Sequence, residues 1–273
     1  MKDLSPLYIV TGTTGSIGGK IAETIAKEGK AVVLACRNIE KAELQKERLM
    51  QLTGNRDIHC RELKLDSFAS VKSFCNELNA QGRRIASIVN NAGIMTHGSE
   101  ISSCGYEMDF MVNVFSPALM SILLEPLLEK GASVVFTTSL TRDIWNLSEC
   151  FPYEKHFGQL ATYGRSKRAL TMFAVWLACE YDKRGIRVNC ADPGIVNTGM
   201  IRMQRWFDPL ADVFFRPFIS SPEKGALSAL YAMKSMKSGI IYYHGKEKRP
   251  SGSIIGNAQV TAEKIMDVLK PFL

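Results

Sequence analysis

Short apolar runs alternate with longer amphipathic stretches along the whole of this chain, and that alternation restricts its fold more than any other feature. LYIVT (Leu7–Thr11) leads into SIGGKIAETIAKEG, where Ile17, Ile21 and Ile25 share one helical face and Gly29 supplies a stop. AVVLAC (Ala31–Cys36) precedes the charged EKAELQKERLMQL, and IHCRELKLD precedes SFASVKSFCNELNA. IASIVNNAG is followed by a long segment from Met108 to Glu129, and ASVVFTTS by an irregular stretch and then a helix around Tyr163. IRVNCADPG and GIIYYHG complete a set of about seven strands. The early strands are largely apolar, as strands covered on both faces of a parallel sheet read. The expectation is an α/β fold: a doubly wound parallel sheet with helices on both faces, forming one domain over 1–273.

TGTTGSIGGK, Thr11 to Lys20, falls where the first strand turns into the first helix. Glycines at 12, 15 and 18 permit a tight turn and a close approach of backbone to a pyrophosphate. The helix start adds amide donors and about half a positive charge. In this strand–loop–helix setting the reading is a Rossmann-type dinucleotide site made by Gly12, Thr14, Gly15, Ser16, Ile17 and Gly18. An NAD-selecting site wants a carboxylate at the end of the second strand, bonding the ribose 2′-hydroxyl. Here ACRNIEK places Cys36 there, followed by Arg37 and Asn38, with Lys41 a turn later. A guanidinium fork suits a 2′-phosphate, so NADP(H) is expected over NAD(H).

Other classes are disfavoured. Composition is ordinary for a globular chain, 46% hydrophobic and 22% charged. No apolar run approaches the roughly 20 residues that span a bilayer, so no integral membrane segment is expected. MKDLSPLYIV has too short an apolar stretch for a secretory signal and lacks an Arg-rich, acid-poor pattern, so neither a signal nor a transit peptide is expected there. Seven cysteines without a C-x-x-C pair point to a reducing, cytoplasmic setting. His59, His97, His156 and His244 show no metal spacing, so no metal is expected. The net charge of +7 is spread along the chain, and its densest group, GKEKRP at Gly245–Pro250, reads as a solvated loop. Nucleic acid is therefore not an expected partner.

ATYGRSKRAL, Ala161 to Leu170, sets Tyr163 and Lys167 four residues apart, on one face of a helix. Such a pair is either surface decoration or a tuned acid. An ammonium about 4 Å from a phenol at an effective dielectric near 20 favours phenolate by roughly 4 kcal/mol, or about three pKa units before desolvation. That would bring a phenol toward working pH for proton exchange with a carbonyl oxygen. Ser139, just past an apolar strand, is the candidate to donate to that oxygen, with Thr137, Thr138 and Thr141 as neighbours of similar chemistry. Asn113 sits inside a helical stretch, where an amide is mildly unfavourable unless it has a task. Asp66 reads as a helix N-cap, an adenine contact, or both.

With these residues in order, the chain resembles the short-chain dehydrogenase/reductase family from Tyr8 to about Leu269. TGTTGSIG, Asp66 of LKLDS, NNAG (Asn90–Gly93), Asn113 in MVNVFS, Ser139 in FTTS, Tyr163-x-x-x-Lys167 and PGIVNT (Pro193–Thr198) carry the likeness. ACRN, the long gap from Ser139 to Tyr163 and the late GIIYYHG are similar to its retinol-dehydrogenase-like branch. The resemblance implies catalytic roles for Asn113, Ser139, Tyr163 and Lys167, with Asn113 holding a relay water and Lys167 also reaching the nicotinamide ribose. It further implies that Leu65 and Asp66 lie at the adenine and that Asn91, Ala92 and Gly93 pass the adenine-side ribose. Pro193, Gly194, Val196 and Thr198 would line the nicotinamide carboxamide and pyrophosphate. One departure is the loop itself: the family's second glycine is Ser16 here, giving the G-x-x-G-x-x-G spacing of the epimerase-type branch.

After Thr198 comes GMIRMQRWFDPLADVFFRPFISS, rich in Met, Trp and Phe. We expect a lid over 199–221 covering a small apolar carbonyl or alcohol substrate, with WNLSECFPYEKHFGQ as the opposite wall. A peripheral membrane contact through Arg202, Arg205 and Arg216 stays open, as does a homodimer or homotetramer. The functional expectation is an NADP(H)-dependent oxidoreductase. A non-catalytic NADP(H)-binding regulator and a sugar-nucleotide epimerase are the alternatives.

Overall fold

The computed structural model describes residues 5–143, 158–194 and 221–273. Val196, Thr198, all but the last residue of the lid expected over 199–221 and most of the irregular stretch before Tyr163 lie outside them. The described elements run β1 (Leu7–Thr11), α1 (Ser16–Lys27), β2 (Ala31–Cys36), α2 (Ile39–Thr53), β3 (Ile58–Glu62), α3 (Phe68–Gln81) and β4 (Ile85–Asn90). Then come α4 (Met108–Phe110), a π-helical turn (Met111–Phe115), α5 (Ser116–Leu123) and β5 (Leu128–Thr137). The chain closes with α6 (Gln159–Asp182), β6 (Arg187–Asp192), α7 (Pro222–Lys234), β7 (Ile241–Tyr243), β8 (Lys246–Lys248) and α8 (Gly252–Leu269).

The eight strands among the described residues form one sheet in the order β3-β2-β1-β4-β5-β6-β7-β8. Neighbours from β3 to β7 are parallel, and the fold is the doubly wound α/β arrangement expected from the sequence. Strand order reverses between β1 and β4, so a crevice opens there at the carboxyl ends of the strands. The eighth strand is a correction: Lys246–Lys248, read as loop, pairs antiparallel with β7. His244 and Gly245, at φ 47° and 80°, make the two-residue turn whose twist suits a hairpin. Its exposed Lys-Glu-Lys closes the sheet edge with charge.

The apolar strands pack a layer on each face. Ile9, Val33, Ile88 and Val134 join one cluster with Val71 and Phe74 of α3, Leu119 of α5, Phe173 and Leu177 of α6 and Ile265 of α8. Their alternating neighbours Val10, Leu34, Val89 and Val135 join the other, with Ile21 and Ile25 of α1, Leu49 of α2 and Ala226 and Ala229 of α7. Each fully buried Val, Leu, Ile or Phe contributes about 1.5–3 kcal/mol, so this double layer fixes the register of the whole sheet. Two local readings shift by a residue or a few. Ser67, not Asp66, caps α3, accepting from Ser70 N at 3.3 Å. β5 begins at Leu128, ahead of the apolar run read from Ala132.

Candidate active site

The glycine turn is built by close approach. Gly12 leaves β1 at φ 69°, and a Cβ there would meet Ala92 at 3.0 Å. A Cβ on Gly18 would lie 2.5 Å from Gly12 O and 2.6 Å from Asn91 Nδ2, so only glycine fits. α1 starts after Gly15 with no side-chain cap, leaving its first-turn amides for a ligand. Thr11 anchors the facing segment: its Oγ1 accepts from Asn91 N (3.0 Å) and Ala92 N (2.9 Å).

Gly12, Thr14, Gly15, Ser16, Ile17, Gly18, Arg37, Leu65, Asp66, Asn91, Ala92 and Gly93 all line one cavity of about 570 Å³. Its remaining wall, which includes Ile94, Met95, Thr96, Met108 and Val112, was not read from sequence because loop and helix starts meet there only in the fold. Asn38 and Lys41 are not among the lining residues. Asn38 is spent on α2, where its Oδ1 accepts Lys41 N at 2.8 Å, and the Lys41 side chain is exposed. Cys36 is buried with its Sγ 2.9 Å from Thr13 Oγ1, so no fixed anion stands at the second strand's end, while Arg37 is exposed at the rim. The cradle therefore fits a dinucleotide on geometric grounds, and nothing at Cys36 repels an added phosphate.

Beside Gly93 lies the second set of residues. A Cβ on Gly93 would sit 3.0 Å from both Asn113 Oδ1 and Lys167 Nζ, so the two polar groups pack on the same face of that glycine. Lys167, on α6 and 2% exposed, donates to Thr137 O at 2.9 Å. Tyr163, one turn earlier, is half-buried and hydrogen-bonded to Ser139. Among the hydroxyls near the end of β5, Thr138 turns instead to Ala191 O at 3.5 Å. Asn113 occupies the π-helical turn. Its Nδ2 donates to Ile94 O (2.9 Å) and Ser166 Oγ (3.0 Å), and its Oδ1 accepts Ile94 N (2.9 Å), so the side chain is engaged in holding Gly93's neighbour and α6.

The electrostatics differ from the sequence expectation. Burial, the largest cause, pushes the Tyr163 phenol upward; its Ser139 bond opposes this and the charges of Asp192 and Asp109 add to it. Lys167 does not bring the phenol down here, because its Nζ stands 5.6 Å from the ring centroid and points to Thr137 O. Burial depresses Lys167 itself to about 8, against the opposing charges of Asp109 and Asp192. Asp109, one helical turn before Asn113, is fully buried and pushed up to about 7, chiefly by burial. Sequence reading passed over Asp109; its four-residue spacing to Asn113 was the available signal.

Pro193 and Gly194 follow β6. His244 holds this turn from outside, its Nε2 3.1 Å from Pro193 O, and stacks on Tyr243 at 4.3 Å. Among the described residues there is no group of His, Cys, Asp or Glu that could hold a metal, and no helix long and apolar enough to cross a membrane.

A doubly wound sheet with a glycine-lined crevice at its switch point, flanked by a Ser–Tyr–Lys–Asn cluster, defines an α/β protein of the dinucleotide-binding kind. The short chain dehydrogenase model matches residues 7–206, and the chain belongs to that family, on the retinol-dehydrogenase-like side expected from its motifs. Polyprenol dehydrogenase of Mus musculus is 32% identical over 234 residues, covering 82% of this chain and 70% of that protein. Retinol dehydrogenase 11 of Homo sapiens is 31% identical over 231 residues, covering 82% and 71%. L-Sorbose reductase from Gluconobacter frateurii, solved with NADPH and L-sorbose, superposes with a TM-score of 0.68 at 21% identity, covering 88% of this chain and 95% of that one. A Mycobacterium paratuberculosis protein reaches 0.77 at 20% identity, covering 98% and 94%.

Proposed function

We propose that this chain is an NADP(H)-dependent oxidoreductase that moves a hydride between nicotinamide and a carbonyl or alcohol on an apolar substrate, with Tyr163 as acid and base. The observation that carries the reading is the convergence of Ser139, Tyr163, Lys167 and Asn113 beside Gly93, which lines the glycine cradle. The Gly12–Gly18 turn and the start of α1 would hold the pyrophosphate, Arg37 the 2′-phosphate, and the Pro193–Gly194 turn the carboxamide. NADP(H), when bound, supplies or accepts the hydride.

The chain's own residues manage the proton. A phenol pushed up by burial is protonated at neutral pH, which is the state needed to donate to a carbonyl oxygen. The Ser139 hydroxyl, already bonded to Tyr163, is placed to share the charge that develops on that oxygen. Lys167, still mostly cationic at pH 7, is the candidate to reach the nicotinamide ribose, as the family resemblance implies. Asn113 keeps Gly93 and α6 in register, so that Lys167 cannot swing away.

An apolar substrate is supported by two things. The relatives named above include enzymes called polyprenol and retinol dehydrogenase. The cavity wall also carries Ile94, Met95, Met108 and Val112. The reading keeps 1–273 as one domain with 199–221 as its lid.

The test is NADPH absorbance with a panel of apolar aldehydes and ketones, wild type beside Tyr163→Phe. The substitution should lower kcat by about 10²–10⁴, the usual worth of positioned acid–base catalysis, with NADPH affinity within about threefold. Tight NADPH binding with no turnover of any carbonyl by the wild type would replace this reading with that of a cofactor-binding regulator.

A further inference from the structure

One buried charge pair lies between the two loops that the proposed reaction depends on. Arg142 and Asp192, 50 positions apart in sequence, are 1% and 0% exposed, and Arg142 NH1 is paired with Asp192 Oδ2. The same NH1 donates to Ser139 O at 2.6 Å, and the Arg142 backbone N–H donates to that oxygen at 3.2 Å. On the other side, Asp192 Oδ1 accepts Gly194 N at 3.0 Å. A single guanidinium–carboxylate unit thus ties the backbone of the candidate catalytic serine to the turn that follows β6.

The unit is held from behind. Arg168, the residue after Lys167, donates NH1 to Arg142 O (3.1 Å) and NH2 to Ser253 Oγ (2.7 Å) at the start of α8. Arg142 NH2 also lies 3.4 Å from Asp143 Oδ2. The Pro193–Gly194 turn packs closely on His244: Gly194 sits at φ 71°, and a Cβ there would be 3.0 Å from His244 Nε2. Removing two charges from water costs more than a well-packed apolar pair of similar volume would, so a buried ion pair is weak evidence of stabilisation and better evidence of enforced geometry. The charge also has a second effect, since Asp192 acts on both Tyr163 and Lys167.

We infer that Arg142 and Asp192 are positioning residues: their pair holds Ser139 and the Pro193–Gly194 turn at a fixed separation, so that carbonyl oxygen and nicotinamide meet in register. This rests on the function proposed above. It assigns to two residues outside the Ser–Tyr–Lys–Asn cluster the task of setting the distance across the reaction centre.

The experiment compares Arg142→Met/Asp192→Leu with wild type and with Asp192→Asn. The double variant removes both charges at once, so its melting temperature should stay within a few degrees of wild type. Its kcat for carbonyl reduction should nevertheless fall at least thirtyfold, with KM and NADPH affinity within about threefold. Recovery of kcat to within threefold of wild type in that stable double variant would overturn the proposal. Asp192→Asn keeps shape and an acceptor for Gly194 N but turns an amide donor toward Arg142, and it should lose at least tenfold in kcat; full activity there also overturns it. Amide hydrogen exchange on the free protein gives a readout independent of turnover. Segments 138–143 and 190–194 should both exchange at least tenfold faster in Asp192→Asn while the core of α6 is unchanged, and protection at wild-type levels in either segment would refute the strut. A wild type inactive toward every carbonyl would sink the function reading alone, because the exchange comparison still decides the strut.

Discussion

Asp109→Asn should make this protein more stable at alkaline pH and less so at acidic pH. Asp109 is fully buried; Oδ1 accepts Thr96 N at 2.9 Å, and Oδ2 has no hydrogen-bond partner. Burial, the largest cause, lifts its carboxyl from 3.8 to about 7. Between those values the folded state holds a proton that the unfolded chain releases, so stability falls as pH rises and the full cost applies above about pH 7. The gap of about three units corresponds to about 4 kcal/mol, of which about 3 kcal/mol accrues between pH 5 and pH 8.

Asparagine keeps the acceptor for Thr96 and carries no charge, but it puts an amide nitrogen where Oδ2 has no partner, at a cost of about 1–3 kcal/mol. That cost does not vary with pH. The difference in melting temperature between variant and wild type should therefore swing in the variant's favour by about 6 °C from pH 5 to pH 8, at about 2 °C per kcal/mol for a chain of this size. Thermal melts across that range measure it directly. A difference constant to within about 1 °C would refute the assignment of Asp109 as a carboxyl that is neutral when folded.

Arg37→Ala should weaken NADPH binding by about ten- to hundredfold, the worth of one charge-assisted bond of about 1.5–3 kcal/mol, and leave NADH within about twofold. Equal losses in fluorescence titrations would remove the 2′-phosphate assignment. Gly18→Ala places a methyl 2.5 Å from Gly12 O, a backbone atom that cannot step aside, so stability should drop by about 1–3 kcal/mol and NADPH affinity by more than tenfold; unaltered affinity would mean the cradle is looser than it looks. Because burial holds Tyr163 protonated, carbonyl reduction should stay level through neutral pH while alcohol oxidation climbs as the phenol begins to ionise. An oxidation rate already at its plateau near pH 6 would contradict that state.

The sheet and the glycine turn could be read in the linear chain because their causes are local. Period and apolarity of a strand, a helix stop at Gly29 and the close approach of Gly18 to Gly12 O all act over a few neighbours. The Tyr163–Lys167 spacing was legible for the same reason, since a helix turns at a fixed rate. Asn38, expected at the cofactor, does not line the cavity, and its side chain caps α2, a task an asparagine before a helix serves equally well.

Sequence alone determined the α/β class and the family, and it singled out the residues proposed for the nucleotide cradle and the acid–base cluster. Tertiary structure alone decided their electrical state and spacing. Whether Lys167 faces the phenol or Thr137 O, how far burial lifts Tyr163, and that Arg142 meets Asp192 across 50 positions depend on which surfaces the two core layers remove from water. Desolvation and long-range pairing are properties of the packed whole, and no window of neighbouring residues contains them.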